Sequence, residues 1–131
     1  IFLAVAGAME GEHDPWSLAR HNRYDVLKQL LNNHEIDVED RDAKGNTILL
    51  VACQNGLRRI AKLALRFGAD VNVQNHKQNT ALHFCYTYGF GDTLGALLLE
   101  AGADETMLND SMQTPAQCKI GGKGGGFTPG G

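Results

Sequence analysis

Five histidines, three cysteines, a glycine-rich run around one lysine and a dense group of cations are the places where this chain could do chemistry. A zinc site needs histidine or cysteine ligands at close, repeated spacings. His13, His21, His34, His76 and His83 are scattered instead, and His83 approaches a cysteine only as the neighbour by two of Cys85. No metal site is expected. Cys53, Cys85 and Cys118 are an odd set without a Cys-x-x-Cys pair, so no disulfide framework is indicated. That usage points to a reducing, intracellular setting, the cytoplasm first, with an organelle left open. The run Gly121-Gly122-Lys123-Gly124-Gly125-Gly126 has the glycines and lysine of a phosphate cradle. Gly124 stands where the cradle needs serine or threonine, no strand-like stretch precedes the run and no helix-forming stretch follows it. With seven of the sixteen glycines in the last eleven residues, the segment reads as a glycine-rich tail. No general acid–base pair, activated nucleophile or cofactor fingerprint stands out. The expectation is therefore a chain with no catalytic residue, no cofactor and no small-molecule substrate.

The dense cations are Arg58, Arg59, Lys62 and Arg66. Steps of four place Arg58, Lys62 and Arg66 on one helix face. Two readings stay open: a solvated outer helix face, or a dock for an acidic partner segment or an anionic surface. Asp37, Glu39, Asp40 and Asp42 lie just upstream and could balance the charge within the chain.

Composition narrows the classes. The 131 residues, 43% hydrophobic and 21% charged, fit one folded domain. A net charge of −3 argues against a general nucleic-acid binder. The longest apolar run, Ile1 to Ala8, falls well short of the roughly 20 residues of a membrane span.

The elements that must position these residues form a repeat. Asp42-Ala43-Lys44-Gly45-Asn46-Thr47-Ile48-Leu49 falls on Asn75-His76-Lys77-Gln78-Asn79-Thr80-Ala81-Leu82 at an offset of 33 residues. Gly68-Ala69-Asp70 falls on Gly102-Ala103-Asp104 at 34, so one residue is inserted near Phe90-Gly91. Going backwards, Ala52, Ile60, Leu63 and Asp70-Val71-Asn72 meet Ala19, Leu27, Leu30 and Asp37-Val38-Glu39. Forwards, Thr80-Ala81 meets Thr114-Pro115. This period, with Thr80-Ala81-Leu82-His83 as a start and Gly-Ala-Asp as an ending, resembles the ankyrin repeat, a turn plus two antiparallel helices. The resemblance implies an all-α solenoid of stacked helix-turn-helix units with projecting hairpin loops. It divides the chain into an extension at 1–12, a repeat domain at 13–118 and a tail at 119–131. The units lie at about 13–41, 42–74, 75–108 and, truncated, 109–118. Ile48 and Ala81 replace the usual proline, Leu50 replaces the histidine, and the first unit lacks the threonine–histidine pair.

Residue chemistry agrees with that division. Thr47, Thr80 and Thr114 sit where a hydroxyl caps a helix, and Pro115 takes a first helical position. Gly56 and Gly89 close first helices, and Gly68 and Gly102 close second helices. Ile60, Leu63 and Ala64, with Leu94, Leu97 and Leu98, give the second helices one buried stripe each. His83 is placed to bond the Thr80 hydroxyl. One repeat between cysteines predicts about 10 Å between them, too far for a disulfide.

Function is then expected on the concave side built from hairpin tips and first helices. The resemblance assigns partner contact to Ala43, Lys44, Asn46, Gln54 and Asn55 in the second unit. It assigns His76, Lys77, Asn79, Thr87 and Tyr88 in the third, with His21 and Asn22 as first-unit counterparts. Tyr88 is the preferred anchor, since an exposed tyrosine offers a broad apolar face and a hydroxyl. The fourth unit stops early, leaving Leu94, Leu97 and Leu98 partly uncapped, and Ile1 to Val5 has no place in a repeat. The expectation is a non-catalytic interaction module or structural subunit in a larger intracellular assembly, with the chain ends and Phe127 on its neighbours. The alternative is a regulatory segment of a longer signalling or enzymatic chain.

Overall fold

Three pairs of antiparallel helices stack side by side in the computed structural model, which describes residues 14–119. The N-terminal extension, the Ile1–Val5 strip, the glycine run and Phe127 lie outside the described residues. The first pair is α1 (Pro15–Arg20) and α2 (Tyr24–Asn32), the second α3 (Ile48–Gln54) and α4 (Arg58–Arg66). The third is α5 (Ala81–Thr87) with α6 (Ala96–Glu100), and a 3-10 turn at Pro115–Cys118 ends the stack. No strand occurs among the described residues.

Each first helix begins at the same chemical device. The Thr47 hydroxyl accepts from the Leu50 N–H at 3.4 Å and the Thr80 hydroxyl from the His83 N–H at 3.3 Å. The first unit, which lacks the threonine, uses Asp14 at the matching place, its carboxylate accepting from the Ser17 N–H at 2.6 Å. At Thr114 the bond runs the other way, the Thr114 N–H donating to Gln117 Oε1 at 2.8 Å. Helix α3 is apolar all round because it is enclosed by α1, α4 and α5, and Ile48 to Cys53 are all buried. The one-residue insertion is absorbed as a π-helical turn, Gly91–Gly95, that leads into α6.

The repeat is also written in backbone handedness. Positive φ angles fall on Asn22, Gly56 and Gly89, on His34, Gly68 and Gly102, and on Gly45, Gln78 and Met112. Each trio is spaced by one repeat and closes, respectively, the first helix, the second helix and the hairpin turn. Glycine pays no steric cost in this conformation, whereas a Cβ costs about 1–2 kcal/mol. Asn22 and His34 show that the first unit keeps the geometry after losing the glycines.

The end of the stack is more covered than the sequence suggests. Leu94 and Leu98 are 1% and 0% exposed, as are their counterparts Ile60 and Ala64 at 0%, so these positions belong to the interior of each unit. On α6 itself the leucines left partly open are Leu97, half-buried, and Leu99 at 37%. The 3-10 turn packs on α5.

The glycines make a graded test. A Cβ on Gly68 would meet nothing within 4 Å, whereas one on Gly56 would lie 2.5 Å from Phe90 Cζ. Gly68→Ala is expected to cost about 1 kcal/mol in urea unfolding and Gly56→Ala clearly more, while His34→Gly is expected to stabilise by about 0.5 kcal/mol. Equal costs for the two alanines would contradict this packing.

Candidate interaction surface

The hairpins between units are built on one side chain each. Asp42 Oδ1 accepts from the Lys44 and Asn46 N–H groups at 2.9 and 2.8 Å. Asn75 Oδ1 accepts from Lys77 and Asn79, and Asn109 Oδ1 from Ser111 and Gln113, each at 3.0 Å. The second and third of these residues also carry an amide donor, and both use it on the preceding unit. Asn75 Nδ2 donates to Asn46 Oδ1 and Asn109 Nδ2 to Asn79 Oδ1, both at 2.9 Å. The first hairpin has Asp42, a pure acceptor, at the matching place.

Three further bonds per step complete the ladder. The His76 and Asp110 N–H groups donate to the Lys44 and Lys77 carbonyls at 3.0 Å. Arg41 Nη1 reaches the Gln74 carbonyl at 2.8 Å, and Gln74 Nε2 reaches the Leu108 carbonyl at 3.1 Å. Glu39 Oε2 accepts from the Asp70 N–H at 2.6 Å, and Asn72 Oδ1 from the Asp104 N–H at 2.8 Å. The pairs Glu39/Asn72 and Arg41/Gln74 thus perform one task with different residue types.

His83 locks the last hairpin to α5. The Thr80 N–H, which can only donate, points at His83 Nδ1 at 3.1 Å, so Nδ1 carries the lone pair and Nε2 the proton. Nε2 then donates to the Gln113 carbonyl at 2.9 Å, and the Thr80 hydroxyl lies 2.8 Å from Nδ1. Burial of the fully enclosed ring lowers its pKa below the ordinary 6.5, against a smaller rise from the Gln113 bond.

The expected contact residues divide in two. Ala43, Lys44, Asn55, His76, Lys77 and Tyr88 are exposed, Tyr88 at 54% with its ring 6.3 Å from that of Phe84 in a stacked pair. Asn46 is a correction: it is 5% exposed and its oxygen is taken by Asn75, so it holds the hairpins together. Asn79 is half-buried with its oxygen on Asn109, and Thr87 is half-buried. Gln54 is half-buried, and Asn55 Nδ2 turns back to the Val51 carbonyl at 2.8 Å. His21 and Asn22 are exposed, but Asn22 serves through its left-handed backbone. Met112, 70% exposed at the third tip, was not foreseen, because its place in the hairpin is shared by Gly45 and Gln78. Arg58, Arg59, Lys62 and Arg66 are all exposed on α4.

The cysteines form no disulfide among the described residues. Cys53 and Cys85 are free and fully buried, and the Cys53 thiol is pushed well above its ordinary pKa, first by a hydrogen bond with Cys85 and then by burial. Cys53 matches Tyr86 in the repeat, while Cys85 matches Ala52. The two therefore sit at different places in the repeat, on helices α3 and α5 that pack together. Among the described residues no group of three histidine, cysteine or acidic side chains could hold a metal, and no helix is long and apolar enough to cross a membrane.

The family model for ankyrin repeats matches residues 16–109 in three copies. The chain belongs to the ankyrin-repeat family. It is 41% identical over 69 residues to mouse protein fem-1 homolog A-like, an alignment covering 53% of this chain and 11% of that protein. It is 37% identical over 84 residues to the Arabidopsis thaliana putative E3 ubiquitin-protein ligase XBAT35, covering 62% and 18%. With human SH3 and multiple ankyrin repeat domains protein 2 it shares 34% over 92 residues, covering 70% and 5%. The chain thus spans less than a fifth of the length of these relatives. Ankyrin repeats are protein-interaction modules and are typically non-catalytic.

Two outcomes follow from the ladder. Asn75→Ala removes the turn acceptor and the bond to Asn46 together, and chemical denaturation is expected to show a loss of about 2–4 kcal/mol. For His83, the folded pKa lies below the unfolded value of 6.5. The unfolded chain therefore binds more protons in this window, so stability is complete above pH 6.5 and falls as pH drops below it. His83→Leu, the residue type of Leu50 at the matching place, is expected to lose that part of the pH dependence.

Proposed function

We propose that the chain is a non-catalytic binding module that holds a protein partner along the side formed by its hairpin tips and the ends of its first helices. The observation that carries this reading is the separation of labour among tip residues. The ladder consumes Asn46, Asn75, Asn79 and Asn109, while Lys44, His76, Lys77, Tyr88 and Met112 keep their side chains outward. A rigid row of exposed cations and two large apolar groups, on a backbone whose polar groups are already satisfied, suits a partner offering an apolar side chain beside acidic or neutral polar groups. Tyr88 is the anchor, held over Phe84 so that little rotamer freedom remains to be lost on binding.

The partner is read as part of a larger intracellular assembly in which this chain is a subunit. The second reading makes the chain a regulatory segment of a longer signalling or enzymatic protein. The observation favouring it is the small share of each relative that the chain covers, one of those relatives being a putative ubiquitin ligase.

Cross-linking mass spectrometry on protein captured from its native source tests the binding face. Links from Lys44 and Lys77 to one recurring neighbour are expected, and in a pull-down of that neighbour Tyr88→Ala is expected to weaken capture at least about tenfold. Links confined to Lys28 or Lys119 would contradict the assignment. A catalytic domain on the same polypeptide would select the second reading.

A further inference from the structure

The outer helix of the second unit carries a charge arrangement that the proposed tip surface does not use and that meets the neighbouring unit only at Arg59. Helix α4 opens on Arg58 and Arg59, continues with Lys62 and ends at Arg66, and it has no acidic residue in its first turn. All four cations are exposed, while the opposite face of the helix, Ile60, Ala61, Leu63 and Ala64, is buried. The acidic residues that the sequence offers as a counterweight are occupied elsewhere. Asp37, Asp40 and Asp42 each accept from backbone amides of their own hairpin, and Glu39 accepts from the Asp70 N–H.

The neighbouring unit adds to the patch. The Arg59 guanidinium lies over the Tyr24 ring at 4.0 Å from its centroid, an arrangement that holds the planar group in place and covers one of its faces. Beside this pair is an open cleft of about 350 Å³ lined by Asn22, Arg23, Tyr24, Asp25, Val26 and Arg59. Arg23 and Arg59 outweigh Asp25 there, so the cleft carries a net positive charge and continues the stripe onto the first unit.

We infer that this stripe and cleft form a second binding site, for an acidic polypeptide segment. Arg58, Lys62 and Arg66 repeat every four residues, which sets them about 6 Å apart along the helix over a total of about 12 Å. Carboxylates on alternate residues of an extended chain, or four apart on a helix, have nearly the same spacing. The length matches a short segment and is far less than a nucleic-acid duplex or a membrane surface would engage. Such broad polyanions would also meet the rest of the surface of a chain whose net charge is −3. Arg59 and Arg23 would take one carboxylate in the cleft by paired N–H donation, with the Tyr24 stack holding the Arg59 fork ready.

The test uses the full chain and a fluorescein-labelled peptide of alternating glutamate and serine, read by fluorescence anisotropy. Saturable binding is expected in about 50 mM salt, weakening several-fold by about 300 mM as the charges are screened. The triple reversal Arg58→Glu, Lys62→Glu, Arg66→Glu is expected to abolish it. Should that variant fail to fold by circular dichroism, Lys62→Gln and Arg59→Lys serve instead, each weakening the peptide about threefold or more, the second by losing the planar fork while keeping the charge. No saturable binding at low salt, or binding unchanged in the variants, would overturn the inference. Binding of anionic lipid vesicles or an RNA oligonucleotide without the peptide would overturn it as well.

Discussion

The amide of Asn75 is the contact on which the arrangement depends. Its oxygen closes the turn of its own hairpin and its nitrogen reaches the Asn46 oxygen of the unit before, so one side chain sets both the local turn and the register between units. Helix packing alone would leave each hairpin tip as a solvated loop with several backbone groups to satisfy. Directed bonds between tips remove that freedom and align the tips in a row. Asn109 repeats the contact, and the apolar stack beneath can then be as short as six or seven residues per first helix. Helices of that length are unstable alone and depend on such tertiary support.

Much of the fold was legible in the sequence, because the features that encode it are local and repeated. Thr47 and Thr80 announce helix starts, and Gly56, Gly89, Gly68 and Gly102 announce helix ends; the backbone angles at these positions agree. The rest was hidden where different residue types do equal work. Asp14 caps as threonine does, His34 takes a left-handed angle as glycine does, and Glu39 accepts the same amide as Asn72. A comparison by identity passes over these pairs, and a comparison by hydrogen-bonding capacity would find them.

The surface was less legible than the fold. Position within a repeat predicts which side chains stand at the tips, but it does not say which of them the framework consumes. Asn46 and Lys44 are two residues apart in one hairpin; the first is buried in the ladder and the second points to solvent. Membership in the family brings the framework and not the partner, since the partner is chosen by the outward set alone. On this chain that set has two faces of different character. The tip side mixes cations with Tyr88 and Met112, and the outer face of α4 is cationic throughout. Such a division allows two segments of different chemistry to be held at once without competing for the same side chains.

The central claim is that the hairpin tips form one hydrogen-bonded row and do not behave as independent loops. Native-state amide hydrogen exchange measures this directly at His76 and Asp110, whose side chains are exposed while their N–H groups bond to the Lys44 and Lys77 carbonyls. The account predicts that both amides exchange slowly, with protection approaching that of the buried helix α3. Fast exchange at His76 and Asp110, at the rate of unprotected loop amides, would contradict it.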